Sequence, residues 1–140
     1  MRTELIFFDN FNNGIKGTKR GLIAFISLII IHFLWYLLMK NKYYISKKPI
    51  NIYSMIFVWL LICSALAVQI PKNYKESFFY SFLIGLVIFG VFNFTNYSIL
   101  SEWNLNISII DTIFGIISCI IAGSLIYLIY WKNYIQKFYS

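Results

Sequence analysis

Polar and charged residues are spaced along this chain so that they leave four long apolar runs between them, at about 21–39, 49–70, 77–100 and 107–130. A run of roughly twenty residues, rising about 1.5 Å each as a helix, matches a hydrocarbon core about 30 Å thick. The first run, GLIAFISLIIIHFLWYLLM, follows Lys19-Arg20 and stops at Lys40, with no small-residue cleavage site, so it reads as a retained span rather than a signal peptide. Pro49 suits the first turn of the second helix, where its missing amide costs nothing, and Pro71 ends that helix. The expected fold is all-α: an integral membrane bundle of four transmembrane helices, with both termini on the same side. The chain divides into an N-terminal segment 1–20, the transmembrane domain 21–131 and a short tail 132–140.

Residues 1–20 carry two signals. Leu5, Phe8, Phe11 and Ile15 fall three or four apart and would share one face of a helix lying on the headgroups. Asn12, Asn13, Gly14 and Gly17 favour turns instead, which leaves a disordered segment as the other reading. At the far end, Trp131, Tyr134 and Tyr139 mix with Lys132 and Lys137 as an aromatic and basic belt at a membrane surface.

Composition supports the same class. The apolar fraction is 60% and the charged fraction 12%, against about 45–50% and 25% for soluble domains. The net charge of +7 does not form a nucleic-acid patch, because Lys and Arg sit at the ends of the apolar runs, where cations anchor to headgroups. Eight of them fall on the side of the termini and four on the other, which places the termini in the cytoplasm by the positive-inside rule. Cys63 and Cys119 lie inside apolar runs, without the spacing of a metal site, and read as small buried side chains.

The chain's concentrated chemistry is the stretch Phe89–Gly115, FGVFNFTNYSILSEWNLNISIIDTIFG. Hydrocarbon offers no water to Asn93, Thr95, Asn96 or Asp111, so these groups need protein partners or a wet cavity. With alternating spans, His32 of the first helix comes to the same depth, beneath the face opposite the termini. Asp111 costs about 2.5–3.5 kcal/mol at mid-membrane and reads either as a ligand for a proton or cation, as a partner for His32, or as a cap in the first turn of its helix. His32 fits a cross-helix hydrogen bond or a pH-responsive partner, and the asparagines fit interhelical bonding or a polar headgroup. Trp35, Trp103 and Trp131 read as interface aromatics, Trp35 and Trp103 also as pocket walls. Gly85 and Gly90 allow a close helix approach, and Asp111, Gly115, Ser118 and Ala122 share one face as a packing seam. Three sequons, starting at Asn93, Asn96 and Asn106, lie in or beside lipid, where no glycosylation is expected.

At this hairpin the sequence resembles a family of predicted membrane proteins, domain of unknown function 2177. In that family the third helix ends in a run of the form Y-G-T-Y-D-L-T-N-L-x-x-L-x-x-W, the fourth begins with D-x-x-W-G, and the first carries D-x-x-W. Gly90, Thr95, Asn96, Leu100 and Trp103 match the first pattern, Asp111 and Gly115 the second, and Trp35 the third. His32 and Asn93 stand where the family has acids, and Phe114 stands where it has Trp. The resemblance covers about 21–130 and implies four helices without implying an activity.

Three function classes follow. A structural bundle, or one that binds a lipid or a protein partner in a polar pocket of one leaflet, asks least of the sequence. A small transporter or channel would need a homo-oligomer, because Ser64, Gln69, Ser118 and Ser124 are too few to line a path through one chain. A lipid-modifying enzyme would rest on His32 and one acid alone, since no phosphate loop, nucleophile elbow or histidine pair is present. Membrane lipids are the expected partners, with no nucleic acid, no catalytic residue assigned, no metal site and no cofactor.

Overall fold

Four helices make up the computed structural model, which describes residues 2–39, 52–69, 71, 73–101 and 103–131, with side chains described for 17–38 of the first segment and up to 129 of the last. They are α1 (Arg2–Met39), α2 (Ile52–Ala67), α3 (Tyr74–Ile99) and α4 (Leu105–Ile126), the last running on into a π-helical turn at Tyr127–Trp131. Three of them are long and apolar enough to cross a membrane, over Gly17–Leu38, Tyr74–Ile99 and Leu105–Ile129, and Ile52–Ala67 is a shorter apolar helix. No strand occurs among the described residues. Residues 1, 40–51, 70, 72, 102 and 132–140 lie outside the described residues, as do the side chains of 2–16, 39, 130 and 131, so the readings placed on them stay sequence readings.

The backbone is helical without a break through Asn12, Asn13, Gly14 and Gly17, so local turn preference gives way to continuation of the membrane helix. Asparagine caps the next two long helices. Asn73 accepts from the Glu76 amide at 2.9 Å and its Nδ2 reaches Glu76 Oε1 at 3.5 Å. Asn104 accepts from the Ile107 amide at 2.9 Å. Each satisfies an amide that the first helical turn leaves open. Asn104→Ala is therefore expected to cost about 1 kcal/mol of stability, read as a lower denaturation midpoint in detergent. Leu100 closes α3 by donating its amide to Asn96 O at 2.8 Å.

Antiparallel α3 and α4, joined by a short connection, make the most extensive helix pair; α1 packs on both α2 and α4, while α2 touches α3 and α4 only sparingly. The α3–α4 seam is made of small residues. Ser77, Ser81 and Gly85 of α3 are buried, as are Ser108, Thr112, Gly115, Ser118, Cys119, Ala122 and Gly123 of α4. A Cβ at Gly85 would lie 2.6 Å from Ile116 Cα, so that position has no room for any side chain. Gly90 is different, since a Cβ there would meet only Leu86 and Thr112 methyl groups at 3.9 Å, ordinary contact. The close approach expected of both glycines is confined to Gly85.

Large apolar side chains point outward. Phe33, Val87 and Ile113 are each more than half exposed, while Ser81, Asn93, Ser108 and Ser118 are fully buried. Bulk outside and small or polar groups inside is the arrangement expected when lipid, rather than water, surrounds a helix bundle. Some polar groups are satisfied within their own helix: the buried Ser27 and Ser118 and the exposed Ser64 each donate to the carbonyl four residues back, at 2.7, 2.8 and 2.7 Å.

Candidate functional site

Two helix faces meet at the site. His32 and Trp35, three apart, share one face of α1, and Asp111 and Phe114, three apart, share one face of α4. Trp35 stacks on Phe114 with ring centroids 4.1 Å apart and an interplanar angle of 9°. His32 meets Phe114 edge-on at 5.3 Å and lies against Phe89 and Trp59, each at 6.0 Å. Gly115 lets the Phe89 ring rest against α4, because a Cβ there would strike that ring. Its missing side chain thus helps set the position of the wall beside His32.

Asn93 joins the two helices of the hairpin. Its side chain is fully buried, and its Nδ2 donates both to Phe89 O at 2.9 Å and to Asp111 Oδ2 at 2.8 Å. Asn93 Oδ1 is buried without a partner. The Asp111 carboxylate enters no ion pair among the described residues. A charge-assisted bond of this kind is among the stronger ones available to a carboxylate in a low-dielectric setting.

His32 Nδ1 lies 2.9 Å from Leu28 O. A carbonyl only accepts, so Nδ1 carries the proton and Nε2 is the ring's remaining polar atom. His32 and Asp111 line the same cavity, of about 600 Å³, whose other walls include Ser54, Val58, Trp59, Ile88 and Phe92. It lies between α2 and α3, which touch only sparingly. Its α2 and α3 residues Met55, Val58, Leu61 and Phe92 are also exposed, so the cavity opens at the side of the bundle.

The structure brings His32, Asn93 and Asp111 together and separates two residues of the expected cluster from them. Thr95 faces outward and is exposed, about 200° around α3 from Asn93. Asn96 is half-buried, and its carbonyl closes the helix end. The cap reading of Asp111 gives way too. Because α4 begins at Leu105, two residues before the expected start, no acid falls in its first turn, and Asn104 takes the cap. Trp103 packs edge-on against Phe92 at 6.0 Å, with its Nε1 buried and unpartnered.

A second polar group, at the other end of the bundle, was not anticipated from the sequence as a group. Arg20 is buried and donates to Gln69 O at 2.8 Å, just past the end of α2, where a cation complements the helix dipole. Ser81 Oγ reaches Gln69 Oε1 at 3.5 Å, Ser77 Oγ donates to Gly123 O at 3.1 Å, and the Tyr74 and Ser124 hydroxyls lie 3.3 Å apart. The available signal was the i, i+4 series Ser77, Ser81, Gly85, the mark of a close seam. Between the two polar groups, along every helix, lie core residues Leu28, Ile62, Leu66, Cys119 and Ala122 with Ile84 and Ile88 packed on them.

Outward-facing apolar bulk, a small-residue seam and a buried set of polar side chains are the features of an α-helical membrane protein. The chain belongs to the predicted membrane protein family DUF2177, whose family model matches residues 19–128. No curated protein and no solved structure matches it.

Proposed function

We propose that this protein binds a lipid or other membrane amphiphile in the cavity between α2 and α3, with the ligand's polar end at His32 and Asp111. The observation that carries the reading is that cavity itself: apolar over most of its wall, open at the side of the bundle, and furnished with one carboxylate and one imidazole. Its volume lies in the range of ordinary ligand pockets. With both termini on one side, the polar end would lie in the leaflet opposite them, and the excess of Lys and Arg on the terminal side favours the cytoplasm for that side.

Transport through a single chain fits less well, because buried apolar residues fill the interior between the two polar groups. Protein purified in a mild neutral detergent should carry a co-purifying amphiphile detectable by mass spectrometry. Val58→Trp, placed on the cavity wall and half exposed, should lower its recovery by about tenfold by occupying the space. Wild-type protein that retains no amphiphile, or a filled cavity that retains as much, would count against the reading. Asp111→Asn should leave the ion permeability of reconstituted liposomes unchanged, and a clear loss of flux in that variant would point to transport instead.

A further inference from the structure

The two ionisable groups that line the cavity, Asp111 and His32, both offer acceptors, and the Ser54 hydroxyl lines it as well. Asp111 presents a carboxylate of which Oδ2 takes one hydrogen bond from Asn93. His32 has its Nδ1 proton committed to Leu28 O, so the neutral ring offers a lone pair at Nε2. No Lys or Arg lines this cavity among the described residues, and the buried Arg20 belongs to the opposite end of the bundle. Around these acceptors stand the rings of Trp59, Phe89 and Phe92, whose faces carry the negative part of the aromatic quadrupole. Carboxylate, lone pair and ring faces all favour positive charge with N–H donors. No Lys or Arg on the described wall would pair with a phosphate or a fatty-acid carboxylate.

Resting on the amphiphile-pocket reading above, we infer that the ligand is a single-chain amphiphile with an ammonium head, taken from the bilayer and held by Asp111 and His32 inside the aromatic wall. The lateral opening gives the chain its route, and a cavity of about 600 Å³ suits one chain of moderate length. The ammonium supplies the counter-charge that no described side chain gives Asp111, and a low-dielectric wall strengthens their attraction, which offsets the cost of taking both charges out of water.

The test uses the full chain in neutral maltoside micelles, titrated with dodecylamine hydrochloride or with dodecanol, which share a chain and differ in charge. Binding is read from the thermal unfolding midpoint. Dodecylamine should bind saturably and at least about tenfold more tightly than dodecanol. Asp111→Asn should abolish that preference and Asp111→Glu should keep most of it. Trp59→Leu should reduce the preference by about threefold and leave dodecanol binding unchanged, which decides the matter even if Asp111→Asn does not fold. Equal binding of amine and alcohol, or an undiminished preference in Asp111→Asn or Trp59→Leu, overturns the ammonium inference and leaves the amphiphile reading standing. Failure of both compounds to saturate overturns the two together.

Discussion

Gly85→Ala should be among the most damaging single substitutions in this protein. The added methyl would sit 2.6 Å from Ile116 Cα and 3.1 Å from Gly115 O, and both contacts are backbone, which no rotamer change relieves. The α3 and α4 helices must therefore part, and the contacts along their whole small-residue seam loosen with them. A cost of about 3 kcal/mol is expected, the upper part of the usual range for overpacking. Gly90→Ala, five residues on, is the matched control. It meets only methyl groups at 3.9 Å, so reduced backbone freedom should leave it neutral or up to about 1 kcal/mol more stable. Denaturation midpoints of the two variants in one detergent measure the contrast, and similar losses at both positions would refute it.

Asn93→Leu should weaken the bundle by about 2–3 kcal/mol through a different route. It leaves the Asp111 carboxylate without its 2.8 Å donor while the site remains largely closed to water. Removing both partners should be kinder than removing one, because the cost lies in the stranded group rather than in the lost bond. The double variant Asn93→Leu/Asp111→Leu should accordingly recover at least about half of the single-variant loss. Additive losses in the double variant would mean that the two side chains do not depend on each other.

The helices were legible because an apolar run of membrane length admits few other interpretations. Depth was legible as well: alternating spans bring His32, Asn93 and Asp111 to one level, and the structure puts the Asn93 amide on the Asp111 carboxylate with His32 lining the same cavity. Which face turned inward was not legible. Helix α3 is apolar nearly all round, so its pattern does not distinguish the buried Asn93 from the exposed Thr95, two residues away. That choice is made by packing against α4. The same holds at Asp111, where a shift of two residues in the start of α4 turns an expected cap into an interior group. Arg20 and Gln69 read singly as span ends, and only the fold joins them at 2.8 Å.

The resemblance to a family with an acid where Asn93 stands acquires a physical meaning here. An amide at that position gives Asp111 a donor, where a second carboxylate would repel it when both are ionised. His32, also at an acid position, finds its own partner in Leu28 O.

The serines that bond back to their own helix bear on how the protein reaches the bilayer. Ser27, Ser64 and Ser118 bring their hydrogen-bond acceptors with them, as His32 Nδ1 does with Leu28 O, so these groups need no second helix on entering lipid, whereas Arg20 of α1 meets Gln69 O only once α2 has followed. The α3 and α4 pair is different, since the donor of Asp111 arrives on α3 and Ser77 of α3 finds its acceptor at Gly123 O of α4. The third and fourth spans are thus best released as a preformed pair, and biogenesis should stall at α4 whenever α3 is delayed or missing.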